Sequence, residues 1–230
     1  MKDPLGDGRG WRMVDTVDST MRLAAELLRA GEPIGAVLAR EQTGGVGRFG
    51  RAWHSPPGTS LSLTLILREY RNHPAPQYIG MAVALAAASA MRCQLAWPND
   101  LMIGGRKVGG VLTEIVDGVP LVGVGANLDV DEFPPEIADR ATSLRREFGG
   151  DHPPEAIAGR IVAVLRTLPE PDAWSALAPI WSVFDRTPGK RYRLPSGEEA
   201  VAIAVGADGR LLCSVEGETQ SVMAADALFG

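Results

Sequence analysis

The stretch GGVGRFGRAWHSPPG, residues 44–58, decides how the chain is to be read. Gly45, Gly47 and Gly50 satisfy G-x-G-x-x-G, the pattern of a dinucleotide-binding turn. Such a turn needs a strand before it and, after it, a helix whose N-terminus faces a pyrophosphate. A strand-like run, IGAVLAR at 34–40, does precede it. Beyond Gly50, however, the chain runs through RAWHS into Pro56-Pro57-Gly58, and a helix interior cannot hold two prolines. A Walker loop fails too, because Arg51 and Ala52 stand where Lys and Ser or Thr belong. The reading left is a flexible glycine-rich loop carrying Arg48 and Arg51. Ordering it costs backbone entropy. An anionic ligand, held by backbone N–H groups and two guanidiniums, would offset that cost.

A second stretch, WPNDLMIGGRKVGG at 97–110, says where such an anion would go. Gly104-Gly105 between two strand-like runs predicts a two-residue hairpin turn. In that register 103 pairs with 106, 102 with 107, 101 with 108 and 100 with 109. Asp100, Met102, Lys107 and Gly109 then share one face. Lys107 lies diagonal to Asp100 at about 7–8 Å, within reach of a bridging ligand. A cation beside a carboxylate suits a metal-bound phosphate or an activated carboxyl group; an exposed salt bridge is the plain alternative. In GVGANL, 123–128, alternation puts Gly123, Gly125 and Asn127 on one face and Val124, Ala126 and Leu128 on the other. Glycine at every second position of a strand points to close approach of a ligand rather than to core packing.

Around these motifs the pattern predicts a strand at 10–17, a helix at 21–30 ended by Gly31, and a strand at 61–67 with one apolar face. An alanine-rich helix comes next at 75–92, then strands at 93–97, 100–116 and 121–130. An irregular proline- and charge-rich segment, 131–155, precedes amphipathic helices at 155–168 and 172–184. After Pro188-Gly189, four short alternating runs predict a small β-module, too small to stand well alone. The domain expectation is a catalytic unit over 1–186 and a small β-barrel over 187–230.

The 230 residues are 45% hydrophobic, enough for one sizeable core, and the net charge is −5. That balance gives no sequence-independent grip on DNA. No apolar run is long enough for a membrane span, and MKDPLGDGRG lacks a signal core, so a cytoplasmic protein without membrane contact is expected. Cys93 and Cys213 read as buried thiols rather than a disulfide. His54, His73 and His152 have no metal-ligand spacing with either cysteine, so no zinc site is expected. Met91, Met102 and Met223 are expected in the core, and Trp174 and Trp181 on one helix face.

Taken together, DST at 18–20, EQTGGVGRFGRAWHSPPGTSLSLTLIL at 41–67, AWPNDL at 96–101, RKVGGVLTE at 106–114 and GVGANL at 123–128 resemble the biotin–protein ligases, over about residues 13–130. The terminal module resembles that family's SH3-like end domain. The resemblance implies an α+β fold, a mixed sheet with flanking helices related to class II aminoacyl-tRNA synthetases. It implies ATP-dependent formation of biotinyl-5′-AMP and transfer of biotin to a lysine of a carboxyl carrier domain, with Mg²⁺ accompanying ATP. By position, it places Ser19, Thr20, Gln42, Gly45 and Gly109 around biotin. Arg48, Arg51, Trp53, Asn99 and Asn127 fall around the nucleotide. Lys107, Arg48 and Asp100 become the catalytic groups, and a homodimer joined through the sheet is expected.

Two positions depart from the family pattern. Met21 stands where Asn is usual, and Val46 where a basic residue is common. Each removes a polar contact to the acyl substrate. They leave open a lipoate or octanoate ligase or transferase of the same fold, or a biotin-binding homologue with impaired turnover. The transferase reading would need a well-placed nucleophilic cysteine. Eighteen residues precede Ser19, too few for the winged helix-turn-helix of the family's repressors, so no DNA partner is expected.

Overall fold

A computed structural model describes residues 10–223 and 226–228. Chain order is β1 (Gly10–Val17), α1 (Thr20–Arg29), β2 (Ile34–Gln42), β3 (Ser60–Ile66), α2 (Pro76–Met91), β4 (Gln94–Ala96), β5 (Asp100–Ile103), β6 (Arg106–Val116) and β7 (Val119–Asn127). Then come α3 (Leu144–Phe148), α4 (Pro154–Leu165), α5 (Trp174–Phe184), β8 (Arg191–Arg193), β9 (Glu199–Val205), β10 (Leu211–Val215), β11 (Glu218–Val222) and β12 (Asp226–Leu228).

Strands β1 to β7 form one sheet in the order β1-β2-β3-β7-β6-β5-β4. Only β1 and β2 run parallel; every other neighbouring pair is antiparallel. This is the mixed sheet with flanking helices expected from the sequence. The two faces of the sheet are treated differently. Leu61, Leu63 and Leu65 of β3 and Val122, Val124 and Ala126 of β7 belong to the large core with α2, α4 and α5. Each fully buried leucine there contributes about 1.5–3 kcal/mol. The alanines of α2 let it lie flat on the strands, and Gly80 admits the Thr113 side chain of β6 against the helix. On the other face α1 covers only part of the sheet. Met21, Ala24, Leu27 and Leu28 pack there with Val37, Ile66, Val119 and Leu121. The uncovered part of that face is where the polar and glycine positions of β3 and β7 emerge.

Strands β8 to β12 make a second, antiparallel sheet, ordered β11-β10-β9-β8-β12. Its apolar residues, among them Tyr192, Ala202, Leu211 and Cys213, join the same core as Trp97 and Trp174. The module is thus welded on rather than tethered. Trp97 donates from Nε1 to the Gly209 carbonyl (2.9 Å). Tyr192 donates its hydroxyl to the Trp97 carbonyl (2.8 Å). Cys93 and Cys213 are both buried and free. Trp174 and Trp181 meet edge to face with centroids 5.6 Å apart. Met91 and Met102 are buried, but Met223, expected in the core, is 60% exposed at the end of β11. No described helix is long and apolar enough to cross a membrane.

The hairpin register differs from the simple alternation. Ile103 pairs with Arg106 and Met102 with Lys107, as the Gly104-Gly105 turn requires; both turn glycines have positive φ. A bulge then inserts Val108, so Leu101 pairs with Gly109 and Asp100 with Gly110.

Candidate active site

The floor of the site is a row across four strands. Ser62 of β3, Gly125 of β7, Gly110 of β6 and Asp100 of β5 are successive cross-strand partners. A parallel row runs Thr64, Gly123 and Leu112. The bare glycines of these rows, Gly110, Gly123 and Gly125, with the Ser62 hydroxyl among them, leave a trough. Around it stand Thr20, Met21 and Gln42, the loop 46–54, Trp97–Asp100, and Ile137, Arg140 and Ala141, enclosing a cavity of about 260 Å³.

Lys107 and Asp100 meet in this cavity, Nζ to Oδ1 at 2.5 Å. Asp100 is buried and Lys107 half-buried. The bulge decides who faces them. A Cβ on Gly110 would stand 3.5 Å from the Lys107 Cε and 3.6 Å from its Nζ, in ordinary contact, so it is Gly110 that faces the ammonium. Gly109, expected beside the substrate, lies on the other side: a Cβ there would meet the Gly125 carbonyl at 2.6 Å and the Leu101 and Ala126 side chains. It is a close-packing position between strands, and Gly110 takes its place in the cavity wall.

The glycine-rich loop is more ordered than its composition suggests. Val46 and Ala52 form a bridge, Gly47 N–H donates to the Arg51 carbonyl (2.8 Å), and Trp53 N–H donates to the Gly45 carbonyl (2.9 Å). At its tip Phe49 takes φ +59 and is 63% exposed, with the Arg48 and Arg51 guanidiniums 4.9 and 5.7 Å from its ring centre. No helix follows Gly50; a three-residue 3₁₀ turn, Arg48–Gly50, is all there is. Arg48 donates to Asn99 Oδ1 (3.2 Å), and Asn99 Nδ2 donates to the Val111 carbonyl (2.6 Å). Asn99 thus couples the loop to β6.

The glycines of β7 are approached closely, but by protein. A Cβ on Gly125 would fall 2.9 Å from the Trp53 indole, and one on Gly123 would fall 3.1 Å from Met21 Sδ. Trp53 Nε1 is buried there without a hydrogen-bond partner among the described residues. Asn127 is buried and donates to the Thr142 carbonyl (3.0 Å).

At the opposite end a hydroxyl relay runs from Thr64 to Thr20 (2.9 Å) and from Thr20 to Gln42 Oε1 (3.0 Å). Gln42 Oε1 also accepts from the Thr20 backbone N–H (2.8 Å), doing for α1 what a capping side chain would do. Ser19 is buried beside it. Gly45 is outside the cavity wall, but its missing side chain makes space for the Gln42 amide and Trp53.

The structure therefore gathers Ser19, Thr20, Gln42, Arg48, Arg51, Trp53, Asn99, Asp100, Lys107 and Asn127 around one cavity. It adds Ser62, Gly110, Ile137, Arg140 and Ala141, which the sequence reading missed. Ser62 had a signal, the Ser60, Ser62, Thr64 alternation on β3. The 137–141 segment had none beyond a run of mixed charges.

The chain is similar to known proteins. A profile of the Biotin/lipoate A/B protein ligase family matches residues 13–131. The chain is 34% identical to a "Biotin--[acetyl-CoA-carboxylase] ligase" of Mycobacterium tuberculosis, covering 96% of this chain and 91% of that one. It is 36% identical to a "Bifunctional ligase/repressor BirA" of Bacillus spizizenii over 59% of this chain, and spans just under half (46%) of that protein's length. The fold is similar to the biotin protein ligase of Aquifex aeolicus solved with biotin and ATP: TM-score 0.75, 26% identity, 96% of this chain and 98% of that one.

Proposed function

The chain belongs to the biotin/lipoate A/B protein ligase family, and on that premise we propose that it is an ATP-dependent biotin–protein ligase. In the first step an oxygen of the biotin carboxylate attacks the α-phosphorus of ATP. A new C–O–P bridge forms, the bond to pyrophosphate breaks, and biotinyl-5′-AMP results. In the second, the amine of a carrier-domain lysine attacks the acyl carbon and AMP leaves.

The observation that carries this reading is the Lys107–Asp100 pair at 2.5 Å on a glycine-lined floor, beneath a loop with two arginines. Two anions must meet for the first step, and fixed positive charge at their junction stabilises the charge that builds there. Lys107 is that charge, with Asp100 directing its ammonium. Arg48, tied to Asn99, holds the loop across the phosphates, and closure there keeps water from the mixed anhydride. Ser19, Thr20 and Gln42 serve the biotin ring end, and Arg51, Trp53, Asn99 and Asn127 the nucleotide. Among the described residues Asp100 is the one carboxylate in the cavity wall, and no three His, Cys, Asp or Glu cluster as metal ligands. That donor set fits Mg²⁺ carried in on the phosphates; Asp100 would be the side chain to hold it, and the ion would offset phosphate charge.

Neither cysteine suits an acyl-cysteine route. Burial pushes the Cys93 thiol up to about 12, and burial raises Cys213 as well. We take 1–186 as the catalytic unit and 187–230 as the small module, in a cytoplasmic homodimer acting on a biotin carboxyl carrier domain and not on DNA. Pyrophosphate release with biotin and ATP, with and without a carrier domain, tests the reading. Release with biotin is expected. Release with lipoate alone would move the acyl specificity, and tight biotin binding without release would make this a binding protein.

A further inference from the structure

Lys107 is gripped through its own backbone by a segment that carries no part of the proposed chemistry. Its N–H donates to the Arg140 carbonyl (2.8 Å), and its carbonyl accepts from the Thr142 N–H (2.9 Å). Lys107 and Ala141 thus pair as a one-residue parallel bridge, while Arg140 and Ala141 line the cavity. A single bridge is a weak tie, yet this one must hold beside a bulge, where the hairpin ladder is itself interrupted.

One carboxylate reinforces it from both sides. Glu147 Oε1 accepts from Arg106 NH2 (2.6 Å), the residue just before Lys107, and from the hydroxyl of Thr142, the residue just after Ala141. Thr142 is fully buried, and its carbonyl also accepts from Asn127 Nδ2 (3.0 Å). Glu147 is itself held in place: α3 is capped by Ser143, whose buried hydroxyl accepts from the Arg146 N–H and donates to the Val130 carbonyl (2.7 Å). The Glu147 side chain is 16% exposed and the Arg106 side chain 41%, so the carboxylate is sheltered while its cationic partner is open to solvent.

We propose that Glu147 is a positioning residue for Lys107: by joining Arg106 to Thr142 it locks the 140–142 segment against β6 and fixes where the Lys107 ammonium stands. The role rests on the ligase reading above, in which Lys107 touches the reacting oxygens. A shift of about 1 Å at such a point costs about a hundredfold in rate.

The test compares Glu147→Ala and Glu147→Gln in the full chain. Gln keeps an acceptor for the Thr142 hydroxyl and loses only the charge, so it is the variant to use should Ala fail to fold. Hydrogen exchange is followed at the amides of Lys107 and Thr142, and adenylate formation is timed in a single turnover. Exchange at those two amides is expected to quicken at least about tenfold, with the rest of β6 unchanged. Adenylate formation is expected to slow about ten- to a hundredfold with the KM for biotin held. Unchanged exchange at both amides overturns the proposal, and so does quickened exchange with an unchanged rate. If the unaltered protein forms no adenylate from biotin and ATP, the ligase reading fails instead, while the exchange comparison still decides whether Glu147 closes the clasp.

Discussion

Lys107 and Gly125 make opposite demands on the site, one for charge and one for empty space. Replacing Lys107 by Ala removes the only ammonium that the described residues place in the cavity wall and leaves Asp100 buried without that partner. Pyrophosphate release should fall by about two to three orders of magnitude, as for loss of a charge-stabilising group, while far-UV circular dichroism stays unchanged. A release rate within about threefold of the parent would remove Lys107 from the chemistry. Gly125→Ala would drive a methyl to within 2.9 Å of a rigid indole, whereas Gly123→Ala meets the flexible end of Met21 at 3.1 Å. The first should destabilise the fold by about 1–3 kcal/mol and the second by clearly less, as measured by urea unfolding. Equal losses would mean that Trp53 yields as easily as a methionine.

Elements are legible in the sequence where side chains announce them. The alternation of β3 and β7, the Gly104-Gly105 turn and the alanine run of α2 all fall where the pattern puts them. The bulge at Val108 does not show, because it is set by backbone pairing and β-branched Val suits either register. The segment 131–152 is unreadable for a related reason. It grips β6 through the Lys107 N–H and carbonyl, groups that nearly every residue possesses. Its far end has one side-chain lock. His152 Nδ1 meets Asp129 Oδ1 at 2.8 Å, its N–H donates to Oδ2 at 3.1 Å, and Arg145 stands 3.4 Å from Oδ2. Burial alone would raise the Asp129 carboxyl, but these hydrogen bonds outweigh it and hold it below the usual range. A carboxylate with a lowered folded pKa adds stability above its unfolded pKa of about 3.9, and that stability is lost as pH falls through the folded value. Asp129→Asn should therefore cost about 1–3 kcal/mol at pH 7, with the gap to the parent narrowing below about pH 4. A gap independent of pH from 7 down to 3 would mean that the charge of Asp129 does not matter.

The second sheet shares its core with the first, so the molecule should unfold as one body. Trp97 sits at the joint, buried, with its N–H on Thr187 Oγ1 (2.9 Å), its ring N–H on Gly209, and its carbonyl under Tyr192. It also begins the WPND stretch that supplies Asn99 and Asp100 to the cavity. Trp97→Phe removes the bond to Gly209 and should lower stability by about 1–3 kcal/mol. Unfolding should remain a single calorimetric transition. Two resolved transitions would show that the sheets melt separately. The small module is legible as a unit from its turns and alternating runs. Its sharing of a core with the rest is not, since its inward residues look the same whichever partner they meet.

The indole at position 53 has one further consequence. Trp97, Trp174 and Trp181 are shut inside the core, but this one is lodged in the cavity wall against a bare glycine, its N–H without an acceptor among the described residues. Its emission should lie toward the blue until an incoming molecule either displaces it or offers it an oxygen. In a Trp53→Phe chain the colour change on adding substrate should vanish. The protein carries its own lamp at the place where occupancy has to be read.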